Sequence, residues 1–534
     1  MAIKTLDALV VGAGVAGLYQ LYQLRERGYS VQCVDAAPGI GGTWYWNCYP
    51  GARLDSPSYT YQYWFSDELL NEWEWSERFP AQPEIKRYLE FVANKFDLHK
   101  DIQLSTRIQS AQWQNDQQHW LITSETGEQW QVKYFISCVG MLSAPNTPNF
   151  ANQELYQGRI LHTARWPQEG IDLQGKRVGV VGVGATGIQV IQTLADQVGQ
   201  LFVLQRTPQY AVKMRNTKLG PEDHAYWQSQ YPTMRHDLHH TFGGFEWDVP
   251  EAGVALAMTK EQRMAILEDC WQDGSLKMWV GTYPEILADP ELNEEASEFV
   301  REKIAARIND PILREKIVPR SYGFGTYRVP LETHYYDAFN RDNVHLVDVK
   351  STPIEAFYEQ GLIIGGAPLA LDVIVFATGF DAGTGALSKM DVHGIDNQSL
   401  TELWHKDIRS TYGLQVHGFP NLFTVAGPLA PATAFCNMTT CLQQQVDWIT
   451  QAIDFLRDQG KSSMEPSAEL EESWVQHHDE VANMTLMMQT NSWYTGANIE
   501  GKPKRLLSYI GGVGTYRQLC DELVANKYSG FNIH

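Results

Sequence analysis

Two glycine-rich strings stand out for the chemistry they could do: Gly12-Ala13-Gly14-Val15-Ala16-Gly17 and Gly182-Val183-Gly184-Ala185-Thr186-Gly187. Glycines at this spacing allow a tight turn and close approach of backbone N–H groups to a pyrophosphate, and the helix that follows adds a partial positive charge at its N-terminus. Two such strings in one chain imply two bound dinucleotides. What stands 23 residues further on tells them apart. After Gly12 it is Asp35, a carboxylate that accepts bonds from ribose hydroxyls and repels a 2′-phosphate. After Gly182 it is Gln205, followed by Arg206 and Thr207. A neutral amide and a guanidinium suit a 2′-phosphate. The residues therefore predict FAD on the first string and NADPH on the second.

Both strings lie where a strand passes into a helix. Ala8-Leu9-Val10-Val11 precedes the first, a helix over 15–27 follows with Leu18, Leu21, Tyr22 and Leu24 on one face, and a second strand runs over 29–35. Around the second, a strand over 177–181, a helix over about 186–195 and a strand over 201–205 repeat the unit. Pro145, Pro148 and several Asn suggest a domain crossing near 141–152. Between 218 and 320 no strand pattern is convincing and helical spacing prevails; strands return at 344–347 and 371–379. The expected fold class is α/β, with two Rossmann-like dinucleotide-binding domains and a helical insertion in the second. The divisions are 1–145 with 381–534 for FAD, 146–217 with 325–380 for NADPH, and 218–324 for the insertion.

Composition bounds the partners. The 534 residues exceed one compact core. A net charge of −21 argues against nucleic acid or an anionic membrane as partner. Seven scattered cysteines, with no Cys-x-x-Cys pair and no Cys/His cluster at zinc spacing, read as buried thiols in a reducing compartment, with no metal site. No apolar run approaches the about 20 residues that span a bilayer, and the apolar start is too short for a signal peptide. A cytoplasmic protein, as a monomer, is the expectation.

Between the two Gly loops runs Tyr156-Gln157-Gly158-Arg159-Ile160-Leu161-His162-Thr163-Ala164-Arg165-Trp166-Pro167. Its Gly158, His162 and Trp166-Pro167 resemble the fingerprint of the Baeyer–Villiger monooxygenases, set before the second Gly loop as in that family. Nitrogen- and sulfur-oxidising flavin monooxygenases carry a similar string without the Trp-Pro ending. Gly41-Gly42-Thr43-Trp44 through Asp55 resembles a second family fingerprint. Gly325-Thr326-Tyr327-Arg328-Val329-Pro330, Ala377-Thr378-Gly379-Phe380-Asp381 and Ser492-Trp493-Tyr494-Thr495-Gly496-Ala497-Asn498 match further segments, so the likeness covers nearly the whole chain.

The resemblance implies an NADPH-, FAD- and O2-dependent enzyme that turns a ketone into an ester or lactone through a flavin C4a-peroxide. It makes Arg328 the catalytic arginine and Asp55 its partner. It extends the FAD site from Gly12, Gly14, Gly17 and Asp35 to Gly42, Thr43, Trp44, Asp55 and Tyr61. It extends the NADPH site from Gly182, Gly184 and Gly187 to Thr186, Gln189, Arg206, Thr207, Arg328 and Trp493. For His162 a linker role is preferred to acid–base chemistry, and 427–433 resembles the substrate-lining stretch. Two departures stand out: Cys48 where the family often has Arg, and Tyr327 where it often has a Lys that holds the 2′-phosphate. That leaves Arg206, with Lys213 or Thr207, to select NADPH. The rivals are an amine- or sulfide-oxygenating flavoenzyme, a disulfide reductase, for which no cysteine pair is spaced, and a non-catalytic NADPH sensor.

Overall fold

The strand ahead of the first Gly loop forms over Lys4–Val11 and pairs in parallel with Val31–Val34 on one side and Gln129–Ser137 on the other. This is a computed structural model, and it describes residues 3–433 and 435–534. Ala8, Leu9 and Val10 are fully buried, as a parallel strand covered on both faces requires. The helix that follows, Val15–Glu26, ends at Gly28, whose φ of +78° suits glycine beyond a helix end. Ile108–Gln114 and His119–Ser124 extend the sheet as an antiparallel meander on Gln129–Ser137, and Leu422–Thr424 joins that same strand in parallel.

Leu422–Thr424 thus brings the late part of the chain back to the first sheet. The long helix Met438–Asp458 then packs along Val15–Glu26, with Tyr19 Oη donating to Asp447 at 2.7 Å and Gln20 Nε2 to Thr450 at 3.0 Å.

The second sheet is wholly parallel, in the order Val344–Asp348, Gln200–Gln205, Arg177–Val181, Val373–Phe376, Arg159–His162. The fingerprint string thus supplies an edge strand. Beside this sheet lies an antiparallel meander, Ile354–Tyr358, Gly361–Ile364 and Ala367–Ala370, which sequence reading passed over. Its strands are four or five residues long and include Pro368, so no alternating pattern accumulates.

The stretch between the halves of this domain is helical, with Pro221–His240, Lys260–Asp273 and Pro290–Ala305 the longest members. Leu267, Trp271, Trp279 and Val300 of the insertion share one core with Val178, Val180 and Ile188 of the second sheet and its helix. Pro221–His240 instead turns Met234 and Leu238 onto Tyr59, Trp64 and Leu70 of the first domain. No helix among the described residues is long and apolar enough to cross a membrane.

Candidate active site

Each Gly loop opens into a cleft. The first, of about 640 Å³, is lined by Gly12, Gly14, Asp35, Gly42, Thr43, Trp44 and Tyr61 among others. The second, of about 740 Å³, is lined by Asp55, Gly182, Gly184, Thr186, Gln189, Arg206, Thr207, Arg328 and Trp493 among others. Trp44, Tyr49, Tyr61, Thr186, Thr433 and Met438 line both, so the two spaces adjoin.

The two loops share a local design. Gly14 and Gly184 stand at the N-terminus of their helices, with no side-chain cap and no acidic residue in the first turn. The first-turn N–H groups are left for a ligand. A Cβ on Gly184 would meet nothing within 4 Å, so that glycine faces the open cleft. The last glycine of each string does something else. A Cβ on Gly17 would come 1.7 Å from Gly12 O, and one on Gly187 would come 2.2 Å from Gly182 O. Neither lines its cleft; both let the helix press on the turn.

Asp35 is buried and accepts from Ala13 N at 2.6 Å and Ala37 N at 2.7 Å. Burial pushes its pKa up against the pull of those amides. It therefore braces the turn as well as facing the cleft. At the equivalent place in the second domain, Gln205 is buried and its Nε2 donates to Lys316 O at 2.8 Å. Gln205 does not line the cleft, whereas Arg206, exposed, forms part of its wall. Arg206 has no ion pair among the described residues. Lys213, offered as a helper, lies on the short strand Val212–Lys213 away from the cleft lining. Tyr327, which stands where Lys is frequent, lines the cleft and donates to Asn491 O at 2.8 Å.

Arg328 and Asp55 come from different domains and meet. Arg328 Nη2 lies 2.5 Å from Asp55 Oδ2, and both side chains are about a fifth exposed, at 19% and 21%. Arg328 Nη1 donates to Thr433 O at 3.2 Å. The guanidinium lies over Trp279, 5.2 Å from the ring centroid, and Gln209 Nε2 bonds its backbone carbonyl. Burial opposes the charge on Arg328, but Asp55 and Tyr494 together more than offset it, so the pKa is raised and the group stays a cation. Asp55 is placed by its neighbours: Leu54 N donates to Pro80 O at 3.0 Å and Ser58 N to Arg78 O at 2.7 Å.

The fingerprint string crosses between domains rather than lining either cleft with His162, Gly158 or Trp166. Gly158 is required because a Cβ would sit 2.2 Å from Tyr156 Oη, whose hydroxyl reaches over to Leu371 O. His162 Nδ1 accepts from Ala164 N at 3.1 Å, while Nε2 faces Asn146 O at 3.4 Å and Thr378 Oγ1 at 3.5 Å. Burial lowers its pKa. The ring is held between its own string and the crossing segments at Asn146 and Thr378. Arg165 stacks on Trp46 at 4.3 Å, Cys48 donates to Trp166 O at 3.4 Å and Gln168 to Tyr45 O at 2.7 Å. Cys48, where the family often has Arg, thus helps seat the string. Gln189 ties the domains again: Tyr49 Oη donates to its Oε1 at 2.8 Å and its Nε2 donates to Arg53 O at 3.0 Å.

Sequence reading did not name Trp279, Met438 or Tyr494 as neighbours of this site. Trp279 belongs to the insertion, and only the fold brings it under Arg328.

Comparison with known proteins agrees with this geometry. The flavin-binding monooxygenase-like family matches residues 6–234. An acetone monooxygenase (methyl acetate-forming) from Gordonia sp. (strain TY-5) is 53% identical over 99% of both chains. A Baeyer–Villiger monooxygenase from Pseudooceanicola batsensis is 36% identical over 98% of this chain and 95% of its own. A phenazine N-monooxygenase from Lysobacter antibioticus is equally similar, at 36% over 99% and 97%. The structure of an OTEMO complex with FAD and NADP superposes with a TM-score of 0.95, at 35% identity and 100% coverage of both chains. With two adjoining clefts behind two Gly loops, an arginine–aspartate pair in the wall of the second, and an ester-forming relative along its full length, the chain belongs to the flavin-binding monooxygenases as a Baeyer–Villiger monooxygenase.

Proposed function

We propose that the protein inserts one atom of O2 beside the carbonyl of a small ketone, with FAD in the first cleft and NADPH in the second. The observation that carries this is the Asp55–Arg328 pair, which lines the second cleft next to residues shared with the first. FAD, reduced by NADPH, supplies the activated oxygen. The chain's own part is to bind, orient and stabilise charge. The amides after Gly14 and Gly184 take the pyrophosphates, and Arg206 takes the 2′-phosphate. Arg328 keeps its charge at every working pH and faces the negative charge that grows on the carbonyl oxygen, where fixed donors are worth most. Asp55 and Thr433 O hold the guanidinium plane. Trp279 screens it from water on one face, which strengthens its field.

The likeness to an acetone monooxygenase favours a short-chain ketone. The test is NADPH and O2 consumption by the FAD-loaded protein with linear, cyclic and aromatic ketones, products read by mass. An ester heavier than its ketone by one oxygen, formed fastest from short ketones, is the expected result. Amine or sulfide oxides with no ester across the panel would place the activity with the nitrogen-oxidising relative instead.

A further inference from the structure

Four separate stretches of chain converge on Arg328. Asp55 neutralises it, Thr433 accepts a second bond, and Trp279 lies beneath it. The fourth is the short turn Trp493–Thr495. Trp493 forms part of the second cleft's wall, while the next residue, Tyr494, points inward, 1% exposed and lining neither cleft. The Tyr494 ring centroid is 6.5 Å from that of Trp279 and 6.3 Å from that of Phe435. Its hydroxyl is buried with no well-aligned hydrogen-bond partner, and the group close enough to influence it through a hydrogen bond is the Arg328 guanidinium. A buried hydroxyl without a partner is costly and calls for a reason.

The charge of Arg328 supplies one: it partly counters the rise that burial imposes on the Tyr494 pKa, so hydroxyl and guanidinium sense each other. The turn is also fastened to the loop that carries Arg328. Tyr327 Oη donates to Asn491 O at 2.8 Å, and Thr490 Oγ1 to Thr326 O at 3.2 Å. Of the five guanidinium N–H groups, one is given to Asp55 and one to Thr433.

We propose that Tyr494 is a positioning residue for Arg328: the turn that sets Trp493 against the dinucleotide in the second cleft brings the Tyr494 hydroxyl to accept a bond from the guanidinium. That bond fixes the orientation in which Arg328 meets the carbonyl oxygen. Trp493 and Tyr494 are consecutive residues of a single turn, so occupancy of the cleft on one side reaches the guanidinium on the other. The phenol keeps its own proton, because burial raises its pKa. The inference rests on Arg328 being the charge-stabilising residue.

Tyr494→Phe removes the hydroxyl and keeps the ring, so the packing with Trp279 and Phe435 survives. Ester formed per NADPH should fall about 5- to 10-fold, with hydrogen peroxide making up the difference, as for loss of an anchor on an electrostatic donor. Anaerobic flavin reduction by NADPH should stay within about twofold, since no donor to the nicotinamide is touched. A second readout needs no turnover: the unfolding midpoint with NADP+ bound. Y494F should lower it when Arg328 is present and leave it unmoved in the R328A background, the non-additivity expected of two groups in contact. Unchanged ester yield in Y494F, or equal midpoint losses in both backgrounds, would overturn the role of Tyr494. The wild-type protein run alongside keeps the two levels apart. No ester from wild type overturns the function itself; ester from wild type and Y494F alike overturns only the inference.

Discussion

At the scale of single residues, two arginines divide the work, and each makes a distinct expectation. Arg328 has its charge secured by Asp55, while the Gly184 helix N-terminus in the same cleft carries no charged side chain in its first turn. Arg328→Ala should leave NADPH-driven flavin reduction within about threefold but lower ester formation by about 10³-fold, the scale seen when a preorganised donor is removed. Stopped-flow reduction and product analysis on one preparation check this, and full ester yield would remove Arg328 from the chemistry. Arg206 is exposed in the cleft wall with Gln205 turned away from it. Arg206→Ala should raise the KM for NADPH about 10- to 100-fold and that for NADH less than about twofold, because only NADPH offers a 2′-phosphate to a charge-assisted bond. Parallel titrations with both nucleotides decide it; equal losses would mean that another group reads the phosphate. Tyr327 in place of Lys leaves Arg206 as the cation of that cleft wall beside Arg53 and Arg328, which is why its loss should weigh so heavily.

At the scale of elements, the strand–turn–helix units were legible because three signals coincide there: an apolar run, glycines at fixed spacing and an amphipathic helix. Their boundaries shifted by only a residue or a few: the second strand is Val31–Val34 where 29–35 was expected, and the late strand Val373–Phe376 where 371–379 was. The helical insertion was legible by the lack of alternation. What was not legible depends on distance in sequence. Trp279, Thr433 and Tyr494 reach Arg328 from three stretches that no local pattern connects, and the meander over 354–370 is too short to declare itself. Nor could spacing say that glycines of one string do different jobs. That difference is testable in the second loop. Gly187→Ala puts a methyl 2.2 Å from Gly182 O and must displace the helix. It should lower stability by about 2–4 kcal/mol, in the range of overpacked cores. Gly184→Ala meets nothing within 4 Å and stands at an extended φ of −69°, so stability should change by less than about 0.5 kcal/mol. The same methyl enters the space that the pyrophosphate would occupy, and NADP+ affinity should drop at least about tenfold. Calorimetric melting and NADP+ titration of the two variants should therefore give opposite rankings. A Gly184→Ala protein that binds NADP+ normally would show that the amides of this turn are not the pyrophosphate cradle.

At the scale of the whole molecule, the insertion packs Trp279 into the core of the second domain, under Arg328, and also seats on the first domain, and the seam between insertion and first domain holds a carboxyl group in an unusual state. Glu246, from the insertion, takes one weak bond from Tyr59 Oη at 3.3 Å, while its Oε2 is buried with no partner. Arg78, across the seam, spends its guanidinium on Asp273 at 3.0 Å and leaves Nε unpaired. Burial pushes the Glu246 pKa up to about 7 from 4.5, the bonds and Arg78 opposing it only in part. The folded state therefore holds a proton that the unfolded chain releases near pH 4.5. Stability from this group is highest below that value, falls as pH rises to about 7, and is level above it. The loss is on the order of 2 kcal/mol after allowance for relaxation of the site. Glu246→Gln keeps the shape and cannot ionise. Its melting midpoint should match wild type near pH 5 and exceed it at pH 8. His239 and His162, whose pKa values burial lowers, titrate alike in both proteins and cancel from the comparison. Parallel melting profiles for wild type and variant from pH 5 to 8 would show that Glu246 pairs with Arg78 in solution and that the seam carries no proton. A wild-type protein that alone loses stability toward pH 8 would show that the insertion is held to the first domain by a protonated carboxyl, so that alkaline pH loosens the floor beneath Arg328 before it affects either nucleotide cleft.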